Sequence, residues 1–203
     1  MKIFAVTGTS GVGKSHLEKE LELNHGFHRM ITYTDRERRA EEKNDPARVC
    51  LSKDEYQQMK SDFIFELQYT GNNYGWRKDE FLKFEKLTNV IFVVTLEAMT
   101  RIVKDIPGII PILLHIKPEN FSLIEARMKK RMGYAELVTR NSEFEIREIE
   151  KKVKERLELA TKEVNEIRKY MDVVKQYNGQ IFEIKDDKSL YQEVIPMILK
   201  FTN

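Results

Sequence analysis

The sequence has almost no cysteine: Cys50 is the one thiol in 203 residues. That excludes an internal disulfide and a cysteine-rich zinc site, and leaves packing as the thiol's role. Net charge is nearly absent as well, since 35 basic side chains against 33 acidic ones leave +2. No overall field therefore draws in nucleic acid or an anionic membrane, and an anionic ligand has to be met by a local cluster. Long apolar runs are missing. The stretch Ile3–Val6 is too short for a secretory signal, and no segment approaches the ~20 apolar residues of a membrane span. The expectation is a cytoplasmic protein that binds neither nucleic acid nor membrane. His16, His25, His28 and His115 show no metal-ligand spacing, and no internal repeat or low-complexity tract is visible.

What is present begins at the eighth residue. Gly8-Thr9-Ser10-Gly11-Val12-Gly13-Lys14-Ser15 fits the phosphate-loop pattern G-x-x-x-x-G-K-[ST]. It follows the apolar run Ile3–Val6 and precedes an amphipathic stretch, Lys14 to Leu21, which is the strand, loop and helix that the mechanism requires. Glycines let the backbone bend so that N–H groups point at a polyphosphate, with the positive end of the helix behind them. Gly8, Ser10, Gly11, Val12 and Gly13 are the expected cradle for ATP. Lys14 is expected to reach its β- and γ-phosphates, and Ser15 offers a hydroxyl to Mg2+.

With 41% hydrophobic residues, the chain can bury one core with small subdomains on it. Phe27 to Thr32 alternates like a second strand, and Tyr33 to Arg48 is a charged, irregular stretch holding Arg36, Arg38, Arg39 and Arg48. Ser52 and Glu55 form a capping box for a helix through Lys60. Phe63 to Tyr69 reads as a strand broken by Gly71-Asn72-Asn73-Tyr74-Gly75. Arg77 to Leu87 and Ala98 to Val103 read as helices. Val90–Val94 and Ile109–Ile116 read as strands buried on both faces, the latter expected to begin after Pro111. A helix follows Pro118 through Arg131. After a break at Gly133, a highly charged helix runs from about Glu145 to Tyr170, then a last strand from Val173-Val174 and Ile181–Ile184, and a closing helix from Leu190 to Phe201. Alternating strands and helices imply an α/β fold with a parallel sheet covered on both faces. Most charges of the long helix fit a solvated face. Arg127, Arg131, Arg140 and Arg156 are the candidates to meet a moving phosphoryl group from a helical lid.

Taken in order, these segments resemble the guanylate kinase family. Besides the phosphate loop, Thr32-Tyr33-Thr34-Asp35-Arg36-Glu37-Arg38-Arg39 is similar to its S-x-T-T-R-x-x-R segment, and Ser52–Tyr56 to its V-S-x-x-E-F helix start. Gly71–Gly75 is close to G-N-x-Y-G, and Arg127–Gly133 resembles R-L-x-x-R-G. Glu150 to Glu163 is similar to the family's lid helix, and Tyr170-Met171-Asp172-Val173-Val174 resembles the strand Y-D-Y-V-V. The resemblance implies a three-layer P-loop fold with core 1–31, 86–126 and 171–203, a monophosphate-binding subdomain 32–85 and a lid 127–170. It implies transfer from ATP to a nucleoside monophosphate, GMP or dGMP first, by a monomer or homodimer. Thr32, Arg36, Arg39 and Tyr74 would hold the acceptor, with Arg131 and Arg140 completing the catalytic cage around Lys14.

Base choice rests on Glu66, which falls where the family's guanine-reading glutamate lies. A carboxylate accepts from guanine N1–H and its amine, a pattern other bases do not offer. By alternation alone Glu66 fits a solvent-facing strand position equally.

The departures fall beside the expected site. The family's D-x-D at the end of the strand that follows the monophosphate subdomain is replaced by Val93-Val94-Thr95-Leu96-Glu97. The tyrosine expected before the V-S segment is replaced near Arg48, Trp76 stands where a small residue is usual, and the segment from Gly133 to Glu150 is longer. Thr95 or Glu97 is left to support a metal-bound water. Another (deoxy)nucleoside monophosphate or small metabolite as acceptor, or a non-catalytic protein-binding module, stay open as alternatives. Intact Lys14 and Ser15 count against the last.

Overall fold

The computed structural model describes residues 2–38, 42–84, 86, 88–140 and 142–202. Five parallel strands in the order β2-β7-β1-β8-β9 form the central sheet: β1 (Ile3–Gly8), β2 (His28–Arg29), β7 (Val90–Val93), β8 (Ile109–His115) and β9 (Gln180–Glu183). β1 sits in the middle because it pairs with β7 on one side, Phe4 opposite Ile91, and with β8 on the other, Phe4 opposite Ile110. Its Phe4, Ala5 and Val6 are fully buried, as a strand covered on both faces requires.

One face carries α1 (Lys14–His25), α5 (Phe121–Arg131) and the C-terminal α8 (Ile195–Lys200), with Leu17, Leu21, Ile124 and Ile198 packed on Phe4, Val6 and Ile112. The other face takes α4 (Leu96–Asp105), whose Met99, Ile102 and Val103 meet Ala5, Val90 and Phe92. Thr95 starts α4 by accepting the Ala98 N–H at 3.1 Å, the ordinary N-cap bond. Truncating any one of the buried Leu, Ile or Met side chains among them to alanine costs about 2–5 kcal/mol.

A second sheet, β4-β3-β6-β5, stands over the C-terminal end of the first. It comprises β3 (Thr32–Thr34), β4 (Arg48–Cys50), β5 (Phe63–Tyr69) and β6 (Asn72–Arg77), flanked by α2 (Lys53–Met59) and α3 (Lys78–Phe84). Ser52 and Glu55 form the expected capping box of α2. On the opposite side, α6 (Tyr134–Thr139) leads into α7 (Glu143–Gln176), 34 residues long.

Four local expectations are corrected. Phe27 to Thr32 is not one strand: Met30 N–H still donates to Ile91 O in the first sheet, whereas Thr32 N–H donates to Ala47 O in the second. Two partners divide one alternating run. The break after Tyr69 is confined to the two-residue turn Thr70-Gly71, and Asn72 to Gly75 belongs to β6. Both turn residues have positive φ, 48° and 79°, as tight hairpins need.

Pro111 lies inside β8, opposite Ala5. Leu114 O bonds toward β1 and His115 O toward Ile184, so by alternation Pro111 faces the β9 side, ahead of the first β9 pair at Ile112. No ladder donor is needed there. Finally, Val173-Val174 is helix. Ile167, Tyr170 and Val174 fall on one stripe that packs on Leu113, and this burial overrides the β-branched pair's local preference. The strand that closes the sheet is β9 alone.

Candidate functional site

The end of β1 can turn sharply into the loop only as glycine. At Gly8 φ is 141°, and a Cβ there would stand 1.7 Å from the Leu114 carbonyl oxygen. The loop ends at Gly13, which caps α1 without a side-chain bond, so the first N–H groups of α1 stay available to an anion. Val12 turns inward and is fully buried in the core. Gly8, Ser10, Gly11, Gly13, Lys14 and Ser15 border a cavity of about 360 Å³ between the two sheets and α7.

Lys14 lies along its own loop, donating from Nζ to Gly8 O at 2.6 Å and Thr9 O at 3.0 Å. Burial pushes its ammonium down to about 8, with Glu163 opposing and Arg156 adding to the fall. From α5, Arg127 reaches under the loop, donating to Val12 O at 3.1 Å and to Asp187 at 2.9 Å. From α7, Arg156 donates to Ser10 Oγ, and Glu163 accepts the Ser10 backbone N–H. Tyr69 OH approaches Glu163 at 3.5 Å. Burial raises the Glu163 carboxyl, Lys14 and the Ser10 N–H pulling the other way.

At the far end, Thr32, Arg36, Glu42, Arg48 and Tyr74 share the wall. Arg36 donates to Glu42 Oε2 at 2.7 Å. Burial works against the Arg36 charge, but Glu42 and Tyr74 hold its pKa above the ordinary value. Behind this wall Arg29 makes a two-pronged pair with Asp45, at 2.6 and 3.0 Å. Asp45 also accepts the Ala47 N–H at 3.1 Å, so the buried pair shapes the turn that delivers Arg48.

Among the described residues the cavity thus draws together Lys14, Arg36, Arg48, Arg127, Arg131 and Arg156 against two carboxylates, Glu42 and Glu163. In a chain of net charge +2 this is the local cluster that anionic ligands demand.

Three expected residues do not join it: Val12, already seen to turn into the core, Glu66 and Arg140. Glu66 pairs with Lys60 at 3.1 Å and sits opposite Gly75, whereas its neighbour Leu67 sits opposite Tyr74; Leu67 and Tyr74 line the cavity and Glu66 does not, because adjacent strand residues face opposite sides. Arg140, the last of the α6 turn, is exposed and apart from the cavity wall, while Arg131 is on it. Arg39 lies outside the described residues. Sequence reasoning missed Glu42, Tyr69 and Glu163 as site residues. The available signal was electrostatic, since six converging cations call for counter-ions.

Val93, Val94 and Thr95 form the wall where acids were expected. Thr95 is committed to capping α4, and Glu97 is exposed and outside the lining. No group of three or more His, Cys, Asp or Glu able to hold a metal exists among the described residues. A Mg2+ carried by a nucleotide needs less, one hydroxyl plus phosphate oxygens and waters, and Ser15 supplies that hydroxyl at the cavity wall. No helix among the described residues is long and apolar enough to cross a membrane.

A family model described as guanylate kinase matches residues 1–180. The chain is 29% identical over 192 residues to the guanylate kinase of Mycoplasma genitalium, covering 91% of this chain and 73% of that one. It is 30% identical over 163 residues to the guanylate kinase of Prochlorococcus marinus, covering 78% and 79%. Among solved structures it is similar to guanylate kinase from Anaplasma phagocytophilum, with TM-score 0.64 over 98% of this chain and 85% of that one. Identity there is 13%, a likeness of fold.

Proposed function

Because the chain belongs to the guanylate kinase family and is a nucleoside monophosphate kinase, we propose that it transfers the γ-phosphoryl group of ATP to GMP or dGMP. The observation that carries this reading is one cavity with a phosphate loop at one end and an arginine cluster at the other. That arrangement suits a donor polyphosphate facing an acceptor phosphate.

In this reading the donor phosphates lie on the loop N–H groups and draw Lys14 away from the Gly8 and Thr9 carbonyls. The acceptor phosphate meets Arg36 and Tyr74, with Arg39 as a further clamp, and Thr32 stands beside the sugar or base. Residues 32–85 act as the acceptor subdomain and 127–170 as the lid. In-line transfer asks little covalent chemistry of the protein, so positioning and charge neutralisation supply the rate. Arg131 and Arg156 neutralise the phosphoryl group in flight. Magnesium, bound at Ser15 with the nucleotide, would neutralise the β- and γ-phosphates.

A specific observation favours a second reading, transfer to another nucleoside monophosphate. Glu66 faces Lys60, and both cavity carboxylates are engaged, Glu42 by Arg36 and Glu163 by Ser10. The one carboxylate expected to read guanine's donors is thus off the cavity wall.

A coupled ADP-release assay with ATP and Mg2+, offering GMP, dGMP, AMP, CMP, UMP and dTMP separately, decides between them. Turnover restricted to guanine nucleotides and abolished by Lys14→Ala supports the first reading. Lys14-dependent turnover with another base supports the second, and silence with every acceptor overturns both.

A further inference from the structure

Arg48 is the residue on the cavity wall that the functional reading leaves without a task. It stands on β4, opposite Thr32 of β3, at the base of the turn held by Arg29 and Asp45. Its side chain is 16% exposed, and its Nε lies 3.9 Å from Glu42 Oε1. The Nε atoms of Arg48 and Arg36 are both buried without a hydrogen-bond partner. Glu42 thus presents one carboxylate to two guanidiniums, with Oε2 on Arg36 at 2.7 Å and Oε1 toward Arg48.

Two arginines, one on β4 and one in the bend after β3, converging on one oxyanion with N–H groups still unspent, is the geometry of an anion site. The anion now in it belongs to the protein. Buried cations left wholly unpaired are costly, so an internal carboxylate that holds the site until a better anion arrives keeps the apo fold intact. A phosphate dianion is that better anion, because it carries more charge and more acceptor oxygens than a carboxylate.

The geometry points to Arg48 as a binding residue for the acceptor's phosphate, acting beside Arg36, and to Glu42 as the internal counter-ion that this phosphate displaces. The inference rests on the reading above that the acceptor phosphate enters at Arg36. It adds a cation at the place where the sequence pattern led to the expectation of a tyrosine.

The test uses the chain's single tryptophan. Trp76 lines the same cavity and is 2% exposed, so its fluorescence reports binding without turnover. Wild type, Arg48→Gln, Arg48→Lys and Glu42→Gln are titrated with the nucleoside monophosphates, with guanosine, with ribose 5-phosphate and with inorganic phosphate. Thermal unfolding verifies that each variant is folded.

Arg48→Gln is expected to weaken phosphate-bearing probes about 10- to 100-fold, the usual range for losing a hydrogen bond to a charged group, and to leave guanosine unchanged. Arg48→Lys is expected to recover part of the loss. Glu42→Gln is expected to tighten the same probes several-fold. Equal weakening of guanosine and GMP would mean that Arg48 only supports the fold, and unchanged affinity for all probes would remove it from the site; either overturns the inference while wild-type turnover stands. Wild type that phosphorylates no nucleoside monophosphate yet binds ribose 5-phosphate through Arg48 overturns the acceptor reading and keeps this one.

Discussion

Glu163 of α7 accepts the backbone N–H of Ser10, at 2.5 Å, in the middle of the phosphate loop. The N–H groups of such a loop are what a polyphosphate binds, so a carboxylate holds part of the donor site in the ligand-free chain. In the proposed reading ATP displaces it. Glu163→Ala is expected to lower the Kd for ATP about 10- to 100-fold, the scale of losing one competing hydrogen bond to a charged group, measured by calorimetry with Mg2+ present. A weaker Kd would show that Glu163 organises the loop instead of filling it.

Lys14 carries a pH consequence. Burial sets its ammonium at about 8, so the cation proposed to meet the donor phosphates is lost as pH rises through that value. The kcat/KM for ATP, which reports free-enzyme ionisations, is expected to fall above about pH 8. Lys14→Arg, whose guanidinium stays charged, should lack this limb. A limb that persists in Lys14→Arg assigns the ionisation elsewhere.

Glu18, on α1 behind the acceptor wall, is 3% exposed. Burial raises its carboxyl to about 7, against the pull of Arg48 and Arg29. A raised carboxyl binds its proton more tightly in the folded state, so its contribution to stability is present at low pH and is lost as pH climbs from its ordinary range through about 7. The loss is about 3 kcal/mol. Urea unfolding at pH 5 and pH 8 should show Glu18→Gln gaining on the wild type between the two, and parallel behaviour would dismiss the assignment.

The hairpin between β5 and β6 carries a β-branched residue at positive φ, Thr70 at 48°, where Asn or Gly is the favoured residue. Thr70→Asn is expected to stabilise the chain by about 0.5–1 kcal/mol, with kcat unchanged because the turn is outside the cavity wall. A loss of stability in chemical denaturation would mean that the threonine makes a compensating contact.

What the sequence disclosed depended on how local the physics was. The phosphate loop was legible because its glycines, lysine and serine work at fixed offsets within one turn, and the capping box at Ser52 and Glu55 is equally local. Partners that decide between two sheets are not local. Phe27 to Thr32 alternates evenly, and only Ile91 and Ala47 divide it. The helical end at Val173-Val174 was set by Leu113, a contact across some 60 positions. The face occupied by Glu66 follows from pairing with β6, whose register shifts between Phe63 and Phe65, and a one-residue shift reverses every side chain. Glu42 and Glu163 were hidden for a related reason. Nothing in a run of charged residues says which carboxylate will be drawn into a cavity of arginines.

The 34 residues of α7 contain neither glycine nor proline, so at ~1.5 Å per residue the helix is an unhinged rod of about 50 Å. Its last third is bolted to the sheet through Ile167, Tyr170 and Val174, and Arg156 and Glu163 ride on the middle of that rod. They therefore hold a fixed spacing to one another along that rod. Before it, the left-handed Gly133, φ 68°, separates α5, which ends at Arg131 and is packed on the core through Ile124 and Met128, from α6. In the proposed reading, stiffening Gly133 restrains the part of the lid beyond it and leaves Arg131, on the core side of the joint, where it is.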